Sequence, residues 1–277
     1  MTFQPVVPFG GYSGWQFLNR TLESQKETFN ASAQTVREVT YFSENIGEVT
    51  TAEELVADRN LLSVALGAYG LDDDIDNRFF IQKVLEDGTL DPDALGNRLA
   101  DKRYLEFSRA FGFGDSAFPS TLRTSFSEGV VTDYLDRQFE IAVGNQDENF
   151  RLAFVIERDL AELSTDDMSD DAKWFTVMGN PPLRAAFETA LGLPSSFVSL
   201  DLEDQLKEFR DRLESATGDG EISQFSEPEQ MENFVRLFLL RAEATAGISA
   251  STPGAGVLSL LSGQSSASNI LQIISQS

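Results

Sequence analysis

Three times this chain writes the same short helix with both ends marked, and that unit constrains the fold more than any other feature. In the stretch from Asp58 to Leu71, the Asp58 carboxylate is placed to accept from the open backbone N–H groups of a first helical turn. Gly70 stands where the backbone must turn left-handed, and Leu71 follows at the apolar position that packs back on the helix end. Asn180 to Leu193 repeats the pattern without a gap, Asn180 matching Asp58 and Gly192-Leu193 matching Gly70-Leu71. Asp101 to Phe113 repeats it after deletion of one residue. Asn can cap as Asp does but cannot replace a catalytic carboxylate, so the unit reads as a packing element and not as a reactive one.

Nothing in the sequence competes with helix. No segment shows sustained period-2 alternation, and runs of β-branched residues are absent, so the fold class is all-α. The multi-helical body carries degenerate internal repeats of the capped unit, ending in Ala-x-Gly-Leu or a close variant. The glycine stops at Gly70, Gly112, Gly144 and Gly192 are unequally spaced, which argues for degenerate duplication over a regular solenoid.

Along the chain, residues 1–20 form an arm rich in Pro, Gly and aromatics. Residues 21–247 form the helical body, with a division into two subdomains near 114–127, and residues 248–277 form an uncharged tail of Ser, Ala, Gln and aliphatics. Within the body, residues 21–46 read as one long helix carrying Leu22, Phe29 and Val36. Thr51 with Glu54 has capping-box spacing. Asp72 to Asp76 offers a cap for the helix bearing Phe79 to Leu85, and Asp91-Pro92 reads as another helix start. Helices follow over 128–146, 148–164 and 201–215. Ser226 with Glu229 has capping-box spacing before a helix bearing Phe234 and Phe238.

Function classes are bounded mostly by exclusion. The sequence has neither Cys nor His, which removes disulfides, thiolate metal sites, cysteine nucleophiles and all imidazole chemistry. Its net charge of −24 opposes nucleic acid and anionic membrane surfaces as partners. It suits either solubility or a basic protein partner. No apolar run approaches the ~20 residues of a membrane span, so no membrane insertion is expected, and no cleavable secretion signal is visible. The default location is the cytoplasm.

Candidate chemistry is thin. Asp219-Gly220-Glu221-Ile222 copies the middle of a calcium-binding loop, but the ligand positions around it fall on Ser215, Thr217 and Ser226, and a helix-to-helix turn is the simpler reading. The acids at Asp72–Asp76 and Asp87–Asp93 are explained by capping and the helix dipole. A carboxylate-pair hydrolase needs only Asp and Glu, yet among 45 acidic residues nothing selects a pair. Catalytic, cofactor-binding and metal residues are therefore expected to be none, with no cofactor, and the chain reads as non-enzymatic. Two features remain as candidate partner contacts. Tyr12, Trp15 and Phe17 of the arm either pack on the body or anchor a partner. In the tail, Leu260, Leu261, Ile270, Leu271 and Ile274 pack on their own domain, serve partner binding or self-association, or belong to a disordered segment.

The stretch Pro8-Phe-Gly-Gly-Tyr-Ser-Gly-Trp-Gln-Phe-Leu-Asn-Arg-Thr21, the unit around Asp58–Leu71, Asn97 to Tyr104 and Arg151 to Phe154 together resemble a family of uncharacterised alphaproteobacterial proteins commonly encoded in flagellar gene clusters. The resemblance implies a flagellum-associated structural or accessory protein acting through contacts with other proteins, flagellar components among them. It transfers no catalytic residue. The alternative is a cytoplasmic acidic helical adaptor, or chaperone-like binding module, for a basic partner.

Overall fold

The computed structural model describes residues 3–249, and every regular element among them is helical. In chain order these are α1 (Gly11–Asn30), α2 (Ala33–Asn45), α3 (Ala52–Ala57), α4 (Arg59–Ala68), α5 (Arg78–Asp87), α6 (Leu95–Arg98) and α7 (Arg103–Phe111). Then come α8 (Thr124–Gly144), α9 (Glu148–Thr165), α10 (Asp170–Met178), α11 (Pro181–Leu191), α12 (Leu202–Thr217) and α13 (Pro228–Ser249). Short 3-10 turns join several of them.

The repeated unit behaves as its residues dictate. Asp58 Oδ1 accepts from Asn60 N at 2.8 Å and Leu61 N at 3.1 Å at the start of α4. At its end Gly70 takes φ +66, Leu71 N donates to Leu66 O at 2.9 Å and Gly70 N to Gly67 O at 3.2 Å. That bond pair is a Schellman motif. α11 ends the same way: Gly192 takes φ +64, Leu193 N donates to Glu188 O and Gly192 N to Thr189 O. At its start Asn180 Oδ1 accepts from Leu183 N at 3.2 Å. α7 is the degenerate copy. Asp101 accepts from Arg103 N at 3.0 Å, and a single Gly112 N to Ser108 O bond closes a simpler left-handed stop. Gly144 is different again. It is the last residue of α8 and does not turn left-handed, and a Cβ there would lie 2.9 Å from the Arg151 side chain. Its smallness serves the close approach of α9, not a stop.

Local competition moves several expected boundaries. The chain is helical from Gly11, inside the expected arm, and what reads as one helix over 21–46 is two. Ser32 interrupts it, its Oγ accepting from Thr35 N at 3.3 Å to cap α2. The start of α1 requires Gly14, because a Cβ there would sit 1.9 Å from Phe9 O. Asp72–Asp74 form a 3-10 turn, and α5 begins at Arg78 with no side-chain cap. The acids are drawn elsewhere: Asp72 accepts from Gln138, Asp74 from Tyr104 and Asn77, Asp76 from Arg59. After Asp91-Pro92 only the single turn of α6 forms. Asp115 accepts from Thr89 N and Leu90 N there, while Asn97 Nδ2 donates to the Thr89 and Asp91 carbonyls. Ser226 does not cap α13, since its hydroxyl donates to Ser223 O within a 3-10 turn. The capping box of Thr51 and Glu54 forms as its spacing predicts.

Two apolar clusters fill the molecule. One runs from Phe42 on α2 through α3, α4, α5 and α7 to Val130 and Tyr134 on α8. The other joins Trp15, Leu18 and Phe29 of α1 to Phe139 and Val143 of α8 and to side chains of α9 through α13. The clusters meet inside α8, between Tyr134 and Phe139, and not in the loop near 114–127. α1 belongs with the second cluster, packing against α13.

Candidate functional site

Where the two clusters meet, α7, α8, α9, α10 and α11 border an open cleft of about 1290 Å³. Its wall is built from charges on helix faces that also carry core residues. On α8, Asp133, Arg137 and Glu140 recur at helical spacing, so all three line the cleft. On α9, Arg158 donates to both oxygens of Glu140 and, through Nε, to Asp159 Oδ1 at 2.9 Å. Glu140 is only 7% exposed, and a carboxylate so buried requires such a partner. Burial opposes the charge on Arg158, but Asp159 and Glu140 overcome it and hold the guanidinium above its ordinary range.

The repeated units supply two corners of this site. Asn180, the cap of α11, donates its Nδ2 to Asp159 Oδ2 at 2.8 Å. At the end of α4, Arg103 donates Nη1 to the Gly70 carbonyl while pairing with Asp101 at 2.7 Å. Arg137 Nη1 approaches the same glycine. Cations at this point oppose the negative end of the α4 dipole. Lys102 donates to the Asn97 and Leu99 carbonyls, closing the α6–α7 junction.

Other members are less satisfied. Arg137 makes no side-chain hydrogen bond among the described residues, and its Nε is buried without a partner. Burial and the neighbouring Arg158 push its guanidinium below the ordinary value. Glu106 of α7 and Asp133 have accessible tips, but the cleft walls crowd them. Burial pushes both carboxyls up, Asp159 adding to the effect at Glu106. No motif in the sequence points to these residues. The available signal is the spacing of three ionisable residues on α8 among Tyr134, Phe139 and Val143, an amphipathic face with charges beside its core stripe.

The candidate contacts from the sequence lie elsewhere. Trp15 is 3% exposed and packs edge-on to Phe154 with ring centroids 4.7 Å apart. It is a core residue, because α1 lays it on α9. Tyr12 is half-buried, donating to Glu232 Oε1 at 3.1 Å with the Arg236 guanidinium 5.4 Å from its ring centroid. Phe17 is half-buried against Phe9. Leu260, Leu261, Ile270, Leu271 and Ile274 lie outside the described residues. The loop at Asp219–Ile222 serves packing: Trp174 Nε1 donates to Gly220 O at 3.0 Å, and Asp219 Oδ1 accepts from Glu221 N. No helix among the described residues is long and apolar enough to cross a membrane.

Among solved structures, protein AGR_C_984 from Agrobacterium tumefaciens superposes with a TM-score of 0.69, covering 87% of this chain and 98% of its own at 23% identity. At that identity the likeness shows the fold alone. No curated protein matches the chain. Residues 68–231, more than half of the chain and the span that holds the cleft-forming helices from α7 to α11, match the family described as protein of unknown function, DUF1217, and the chain belongs to that family.

Proposed function

We propose that this protein is non-enzymatic and works through contacts with other proteins, as a structural or accessory component associated with the flagellum. The carrying observation is the state of the cleft's charges. Arg103, Arg158 and Lys102 are engaged by carboxylates and backbone carbonyls within the fold, so these cations hold the cleft's shape and its accessible carboxylates are left to meet a partner. The resemblance of the Pro8–Thr21 stretch and the Asp58–Leu71 unit to proteins of flagellar gene clusters supplies the setting. Fractionating native cells into cell body and isolated flagella tests the reading: the protein should co-fractionate with flagella or their basal structures. Uniform recovery in the soluble cell body, unchanged in cells lacking flagella, would sink it.

A second reading, an acidic adaptor for a basic partner, is supported by the net charge of −24. Its binding should weaken steeply with salt, because surface fields are screened over about 8 Å at physiological ionic strength. Salt-independent binding would count against it.

A further inference from the structure

The charges of the cleft divide into those already satisfied and those that are not. Most of its basic groups are engaged inside the fold: Arg103 on Asp101 and the Gly70 carbonyl, Arg151 on Glu148, Arg158 on Glu140 and Asp159. Arg137 and Arg109 make no side-chain hydrogen bond among the described residues, but Arg137 lies in the field of Asp159, Glu140 and Asp133, and Arg109 acts on Glu106. By contrast Glu106, Asp133 and Glu162 line the same cleft and are accessible, and their carboxylates accept no hydrogen bond among the described residues. Glu106 and Glu162 repel one another, and burial pushes the carboxyls of Glu106 and Asp133 up. Glu106, Asp133 and Glu162 therefore face one opening with no hydrogen-bond donor taken up, in a protein that is already strongly acidic.

Much of the remaining lining is apolar. Phe175 on α10 and Met168 just before it expose 39% and 40% of their surface at the cleft. Leu105 and Leu152 are half-buried in its walls. The volume of about 1290 Å³ equals roughly three turns of a helix about 10 Å across. A groove with apolar walls and acidic groups at its opening matches a helix with one apolar face flanked by Lys or Arg.

We propose that this cleft receives a basic amphipathic helical segment of a partner protein, its cations meeting Glu106, Asp133 and Glu162 and its apolar face meeting Phe175, Leu105 and Leu152. The proposal rests on the reading that the protein acts through protein contacts, and it names the site and the chemistry of the segment.

The test titrates the full chain calorimetrically with a synthetic Leu/Lys peptide designed as an amphipathic helix, and with a scrambled peptide of equal composition that has no apolar face. The triple variant Glu106→Gln, Asp133→Asn, Glu162→Gln removes the cleft carboxylates. The triple variant Glu203→Gln, Asp211→Asn, Glu214→Gln removes equal charge from α12, which does not line the cleft. Thermal melting checks that both variants fold. The expected result is binding of the amphipathic peptide that weakens at least ~10-fold in the cleft variant and less than ~2-fold in the α12 variant. Equal weakening in both, equal binding of the scrambled peptide, or no binding by the unmodified chain would overturn the proposal. Failure of the broader reading is seen separately. If the unmodified protein co-fractionates with flagella and the cleft variant does so equally, protein contact stands and the cleft does not carry it.

Discussion

Asn180 holds Asp159 with one end of its amide and caps a helix with the other: Nδ2 donates to Asp159 Oδ2 at 2.8 Å while Oδ1 accepts from Leu183 N at 3.2 Å. The matched position in the first unit, Asp58, only accepts, from Asn60 N, Leu61 N and the Tyr41 hydroxyl at 2.6 Å. The choice between Asn and Asp at equivalent caps thus follows from what lies beyond the cap.

Asn180→Asp should consequently be worse than capping preference suggests. The helix start would be kept, but a carboxylate would replace the amide donor facing Asp159. We expect a loss of about 1–3 kcal/mol, from the broken hydrogen bond and the like charge, measured by urea unfolding. A stability equal to wild type would show that the contact with Asp159 is dispensable.

At Asp58 the order reverses. Asp58→Ala should cost about 1–2 kcal/mol by leaving the first-turn N–H groups of α4 without an acceptor. Asp58→Asn keeps an oxygen for those groups and should cost under about 1 kcal/mol. Equal losses in the two variants would place the importance of Asp58 in its charge and not in its cap.

Glycines should divide by geometry. Gly129 lies exposed within α8, and a Cβ there would meet nothing within 4 Å, so Gly129→Ala should stabilise by about 0.5–1 kcal/mol. Gly14→Ala drives a methyl group to 1.9 Å from Phe9 O and should cost about 1–3 kcal/mol through forced displacement at the start of α1. Thermal melts of the two variants should therefore move in opposite directions.

The α9–α13 contact should carry a pH signature. Glu157 of α9 is pushed up to about 7 by burial and by the charge of Glu232 on α13. Glu232 itself accepts from the Tyr12 hydroxyl, and the Arg236 guanidinium lies over the Tyr12 ring. The unfolded chain loses the Glu157 proton near pH ~4.3. The folded chain keeps it to about 7, so stability falls as pH rises from the first value to the second. The change is on the order of 3–4 kcal/mol. The stability of Glu157→Gln relative to wild type, followed from acid to mildly alkaline pH, should grow in favour of the variant across that window. A difference that does not vary with pH would refute the assignment.

What could be read from the sequence was local. The caps at Asp58, Asn180 and Thr51 and the left-handed Gly70, Gly112 and Gly192 are fixed by residues within one turn, and all were legible. The acids at Asp72–Asp76 mislead because they serve Gln138, Tyr104 and Arg59, partners outside their own helix. The break at Ser32 is an ordinary cap three residues before Thr35, but the seven-residue recurrence of Leu22, Phe29 and Val36 masks it. The cleft was the least legible part. Arg158 gains its meaning only when α8 brings Glu140 beside it, and no motif announces a pair that tertiary packing creates.

Helix α8 places Val130 and Tyr134 in one apolar cluster and Phe139 and Val143 in the other, while α1 is sealed into the cluster that α9 to α13 complete. A ribosome making this protein therefore releases Trp15 long before Phe150 and Phe154, the rings that will cover it, exist. Until α9 emerges, the indole must wait in solvent or on a chaperone, so α1 finds its place only after helices made well after it.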